Sequence, residues 1–254
     1  MGAGHAHALY VHEHSPFHRL VPEVKIVVAA GMITCVAITP RQAVWAFALY
    51  ALMVMMLVTV SRVSPKFVVA RLAAVAPFVI FALFIPFVGT GATTTVWGIE
   101  VSIDGLWATW NIIIKAVLGA SISIILTATT EVPDILRGLG ALRVPALFTS
   151  IATFMIRYLE LITDELGRTR VAMTARGYDP RWLHQARPIA TAAGAMFVRS
   201  YERGERIHSA MLARGFTGEM PVFDRRRASA VQWALAAMLV GVFVLVAVGA
   251  LTTS

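Results

Sequence analysis

The chain has 254 residues, 58% of them hydrophobic and only 14% charged. With a mean hydropathy of +0.74, it is too apolar for a water-soluble globular domain and fits a protein built in lipid. The formal net charge is still +8, so the few charges lie outside the apolar runs and are biased to Lys and Arg, which points to membrane-flanking loops and anionic headgroups before nucleic acid. Cys35 is the sole cysteine, which excludes an intrachain disulfide, a cysteine zinc cluster and a CxxC redox pair.

The chain opens on a polar stretch carrying His5, His7, His12, His14 and His18. Alternating imidazoles suit Co, Ni or Zn. No cysteine or fixed carboxylate accompanies them, so the tract reads as a polar His-bearing tail, with a metal role left open. The apolar run behind it has no clean small-residue cleavage site and is followed by further apolar runs, so it reads as a retained span and not a signal peptide.

Runs able to cross about 30 Å of hydrocarbon at about 1.5 Å per residue are expected at 24–39, 43–60, 67–88, 105–129 and 228–251. Between the third and fourth, residues 89–104 are rich in Gly and Thr, lack Lys and Arg, and read as an extended or hairpin-like loop. Arg71 lies about one turn into the third run and is expected to snorkel. Lys115 lies well inside the fourth, where a charge is a functional candidate whose simpler accounts are a polar partner in the bundle or snorkelling. Arg19, Lys25, Arg62, Lys66 and Arg225 to Arg227 fall on one side of the membrane and only Arg41 on the other. The positive-inside rule then places the N-terminus in the cytoplasm.

Residues 131–227 differ from their surroundings and hold most of the arginines. After Pro145 a run is apolar in its first half (Leu147, Ile151, Phe154, Met155, Ile156) and charged in its second (Glu160, Asp164, Glu165, Arg168, Arg170). A second run, at about 184–216, shows a similar progression from Ile189, Met196, Phe197 and Val198 to Arg199, Glu202, Arg203, Glu205 and Arg206. Neither is expected to provide a full-length apolar stretch, so both read as long helices packed beside the bundle and emerging into the cytoplasm.

Both helices end in nearly the same words. Ala172-Met173-Thr174-Ala175-Arg176-Gly177-Tyr178 aligns with Ala210-Met211-Leu212-Ala213-Arg214-Gly215-Phe216, and upstream Asp164 with Arg168 aligns with Glu202 with Arg206. Gly177 and Gly215 suit the left-handed position past a helix, with Met173 and Tyr178, or Met211 and Phe216, as the apolar contact of a Schellman cap. Capping does not require arginine beside alanine twice, since any cation near a helix C-terminus gains about 0.3–1 kcal/mol and Lys would serve equally. A forked guanidinium on a small-residue tip suits a carboxylate-lined groove on another protein, and two tips imply two sockets.

These twin Ala-Arg-Gly endings resemble the transmembrane T component of energy-coupling factor (ECF) transporters, the cobalt-transport (CbiQ/EcfT-type) family. The opening from Ser15 through His18-Arg19-Leu20 to Pro22 and Lys25 is similar to that family's, with Val21 and Glu23 standing where it commonly has Asp and Arg. The resemblance implies an all-α integral membrane fold of about five transmembrane helices plus two long cytoplasmic-side coupling helices joined by short ones. It divides the chain into residues 1–23, a four-span bundle 24–130, a coupling region 131–227 and a final span 228–254. It also implies partners: two cytoplasmic ABC-type ATPases that hold ATP-Mg, and a membrane-embedded substrate-binding S component. The coupling residues would be Ala175, Arg176, Gly177, Ala213, Arg214 and Gly215, in the cell membrane of a prokaryote.

Lys25, Lys66 and Lys115 are the only lysines and none sits in a Gly-rich turn before Ser or Thr, so no P-loop is read and energy is expected from a partner. No Ser/His/Asp set, paired carboxylates or metal motif argues for a membrane enzyme. The cargo expected is cobalt or another transition metal, with vitamins possible. Two other classes stay open: a self-contained channel or secondary carrier lined by Lys115 and the 89–104 loop, and a membrane anchor whose basic helices bind anionic lipid.

Overall fold

The computed structural model describes residues 20–88, 93–96, 99–178, 186–218 and 228–253. They form two compact units, one of residues up to 142 together with those from 228, the other of 143–218. Apart from one short hairpin, the regular structure is helical, and the chain is an all-α membrane protein.

In the first unit α1 (Pro22–Ile38) and α2 (Val44–Val60) each have 17 residues, about 25 Å of helix and slightly short for a bilayer. The third apolar run is interrupted: α3 (Pro65–Leu72), a 3₁₀ turn (Ala73–Val75) and α4 (Ala76–Val88) follow one another. Strands β1 (Thr93–Val96) and β2 (Ile99–Ser102) pair antiparallel, Thr93 opposite Ser102 and Val96 opposite Ile99. Then come α5 (Ile103–Thr129), α6 (Val132–Ala141) and, at the end of the chain, α9 (Ala230–Thr253).

The core lies among α1, α2, α5 and α9, where Met32, Phe47, Tyr50, Val58, Ile122 and Phe243 are buried. Small residues let the helices approach. A Cβ on Gly31 of α1 would stand 3.0 Å from Val240 of α9, and one on Gly138 of α6 would stand 3.0 Å from the Glu23 backbone of α1. Tyr50, fully buried, stacks on Phe243 with ring centroids 4.9 Å apart, and its hydroxyl donates to the Phe243 carbonyl at 3.1 Å. A buried hydroxyl with an acceptor costs little, and this one ties α2 to α9.

Where α4 meets α5, a broken helix is repaired from outside. Pro86 has no N–H, which leaves the Ala82 carbonyl one turn back without its helical donor. Thr109 of α5 donates its hydroxyl to that carbonyl at 2.8 Å. Gly105, one turn earlier, admits the Pro86 backbone, since a Cβ there would lie 2.7 Å from Pro86 Cα.

The second unit contains α7 (Ala146–Ala175) and α8 (Arg187–Leu212), neither of which has a buried residue. The expectation that neither run holds a full-length apolar stretch is corrected for α7. By length and composition it is, among the described residues, one of four stretches able to cross a membrane, with Pro65–Phe87, α5 and α9. Leu147, Phe148, Ile151 and Met155 make its first half apolar and exposed, and the charges from Glu160 onward fall mostly in its second half.

Candidate functional site: twin arginine tips

The two helix endings of the second unit have the same backbone. At α7 the Tyr178 N–H donates to the Met173 carbonyl at 3.1 Å and the Gly177 N–H to the Thr174 carbonyl at 2.9 Å. At α8 the Phe216 N–H donates to the Met211 carbonyl at 3.0 Å and the Gly215 N–H to the Leu212 carbonyl at 3.0 Å. Gly177 has φ +78° and Gly215 +81°. These two bonds and a left-handed glycine define the Schellman ending, which satisfies carbonyls the helix leaves free. In each case the arginine, Arg176 or Arg214, holds the last position before the glycine.

Exposure divides each ending in two. Met173 and Tyr178, like Met211 and Phe216, are half-buried, whereas Ala175, Arg176 and Gly177, like Ala213, Arg214 and Gly215, are exposed. Nothing lies within 4 Å of a Cβ built on either glycine. Among the described residues neither guanidinium has an acidic partner. Each tip thus presents a forked, always-charged donor set beside small residues, exposed among the described residues, a shape that fits a carboxylate-lined groove.

The repeat extends back along both helices. Half-buried positions recur at the same register, Tyr158 with Met196, Ile162 with Ser200, Glu165 with Arg203, Thr169 with Ile207 and Met173 with Met211. The helices meet on this face: Glu165 accepts from Arg199 Nε at 2.9 Å and from Arg203 at 3.3 Å. Of the two aligned acid–arginine pairs, Glu202 and Arg206 stand 3.9 Å apart, while Asp164 and Arg168 form no ion pair among the described residues.

The intramembrane charges of the first unit are accounted for structurally. Lys115 of α5 donates to the Ala37 carbonyl in the last turn of α1 at 2.7 Å. In the opposite sense, buried Lys25 of α1 donates to the Thr129 carbonyl at the end of α5 at 2.8 Å and lies 3.3 Å from Thr130 Oγ1. Two antiparallel helices each cap the other's orphan carbonyls with a cation. Glu23 accepts from the Ala228 N–H at 3.3 Å, holding the entry to α9 at the same end as Lys25. Arg71 lies over the Phe67 ring at 4.1 Å. The reciprocity of Lys25 and Lys115 is invisible in sequence, as is the bond of Glu165 to its own repeat equivalent, although opposite charges at matched repeat positions were its signal. His5, His7, His12 and His14 lie outside the described residues.

The pattern of the CbiQ family, described as "Cobalt transport protein", matches residues 13–223. The chain is 34% identical over 107 residues to the cobalt transport protein CbiQ of Rhodobacter capsulatus and 34% identical over 90 residues to the nickel permease LarQ of Lactiplantibacillus plantarum. These matches take in 41% and 35% of this chain and span 43% and 33% of those proteins. It is 26% identical over 224 residues to the energy-coupling factor transporter transmembrane protein EcfT of Streptococcus thermophilus, covering 82% of this chain and 84% of that protein. With a family pattern that runs from the opening segment through both arginine tips, the chain belongs to the CbiQ cobalt transport family and is a multi-pass membrane protein.

Proposed function

We propose that this chain is the energy-coupling transmembrane subunit of an ATP-driven uptake transporter. It joins two cytoplasmic ABC-type ATPases to a membrane-embedded substrate-binding S component. One observation carries the reading: two exposed arginines, without an acidic partner among the described residues, in the same backbone setting at the ends of two helices that repeat one another. A paired engine needs paired handles, and capping alone does not need arginine twice.

In this reading Arg176 and Arg214 each enter a carboxylate-lined groove on one ATPase. ATP-Mg is bound and hydrolysed on those partners, and this chain catalyses nothing itself. Their movement reaches α7 and α8, whose exposed apolar residues Leu147, Phe148, Met155 and Phe197 hold the S component. The N-terminus and both tips lie on the cytoplasmic side, where the positive-inside rule puts the basic loops. The cargo is cobalt or another transition metal, supported by relatives that include a cobalt transport protein and a nickel permease.

The test is purification from the source membrane with interacting subunits retained. The wild-type chain brings ABC-type ATPases with it, Arg176→Ala with Arg214→Ala together releases them, and the two Lys replacements retain them weakly. Wild-type amounts of ATPase on the double alanine variant overturn the proposal.

A further inference from the structure

Within α7 and α8, which have no buried residue to bind one to the other, an ion fork joins them. The Glu165 side chain is only 15% exposed and is held by Arg199 and Arg203, one turn apart on α8. The pair Glu165 and Arg203 occupies one and the same repeat position, and Arg176 and Arg214 each stand eleven residues beyond it. At about 1.5 Å per residue both tips extend roughly 16 Å from the fork.

We propose that Glu165 is a positioning residue. It clasps α7 to α8 at the matched point of the repeat and so sets the spacing and angle of the two arginine tips. A crossing held mainly by charge, with only half-buried side chains around it, resists a change of angle less than a fully packed core does. Its two acceptor oxygens, each used by a different arginine, still define one preferred geometry. The clasp is a claim about α7 and α8 alone; its use in coupling rests on the function proposed above.

The experiment places spin labels at Val171→Cys and Ser209→Cys, exposed positions that are repeat equivalents one turn and more before the tips, in the full chain with Cys35→Ala. Pulsed dipolar spectroscopy on the purified chain, without ATPases, reads the tip spacing. A narrow distance distribution is expected, broadened and shifted by several ångströms in Glu165→Gln. It is restored by the charge exchange Glu165→Arg with Arg199→Glu and Arg203→Glu. A Glu165→Gln distribution that superposes on the parent, or an exchange that fails to restore it, overturns the clasp whatever the tips bind. In a second arm, purification with native subunits, Glu165→Gln lowers the ATPase retained at least twofold and the exchange restores it. Unchanged retention overturns the clasp's part in docking. Failure of the coupling function itself shows separately, as wild-type ATPase retained on the Arg176→Ala, Arg214→Ala variant with Glu165 intact.

Discussion

Lys25 and Lys115 illustrate how single cations in an apolar bundle are made tolerable. Each ends on a carbonyl that the neighbouring helix cannot satisfy itself, Thr129 for one and Ala37 for the other. Lys25 is only 5% exposed, so its loss strands a buried acceptor, and hydrogen bonds to charged groups are worth about 1.5–3 kcal/mol. Lys25→Met is therefore expected to lower the thermal unfolding midpoint of the purified chain clearly, and Lys115→Met, at a half-buried position, less. Equal effects would mean that burial does not set the cost. At the tips, the Met, Gly and aromatic spacing was readable in sequence as a Schellman ending, and the backbone bonds of Met173, Gly177 and Tyr178 form one. Gly177→Ala meets no neighbour, so its cost is the left-handed backbone alone, about 1 kcal/mol. Faster hydrogen exchange at the Tyr178 amide, with Gly177→Asn closer to wild type, is the measurement. The partners of Glu165 were not legible, because periodicity gives a residue's face and not the helix that covers it.

Elements were legible where apolar length decides and less so where composition is mixed. The runs at 105–129 and 228–251 correspond to α5 and α9 within two or three residues, and the Gly- and Thr-rich loop holds a hairpin. The run at 67–88, read as one span, corresponds to the continuous candidate span Pro65–Phe87, which carries a 3₁₀ turn at Ala73–Val75 just before Pro77, a residue with no N–H to offer the preceding turn. The α7 stretch was underestimated because a few charges outweighed its length. Pro86 fell inside an apolar run with no visible remedy. The remedy is Thr109, distant in sequence, donating to the Ala82 carbonyl. Thr109→Val is expected to cost about 1 kcal/mol alone and markedly less beside Pro86→Ala, since an alanine N–H would fill the same carbonyl. A double-mutant cycle on unfolding midpoints checks it, and strict additivity would contradict it. Gly105→Val should be worse than either, because the added carbons meet backbone at Pro86 and not a movable side chain.

Across the whole molecule, charge is segregated along the chain. Glu23, Lys25 and the end of α5 gather at one end of the first unit, while Arg41 pairs with Asp104 at 3.1 Å beside the hairpin. The second unit carries the arginine-rich helices and both tips. Family membership was legible because the signature is local: two short words at two helix ends. Inter-helix chemistry was not, because it joins residues that no spacing rule relates. The central claim is that both arginine tips are gripped by ATPases on the inner side of the membrane. Its most direct test is a photo-crosslinking amino acid placed at Ala175 or at Ala213 in cells of the source organism. The account predicts that each position crosslinks to an ABC-type ATPase subunit and that the product disappears when the adjacent arginine is replaced by alanine. Crosslinks to lipid alone, or to proteins on the outer face, would contradict it.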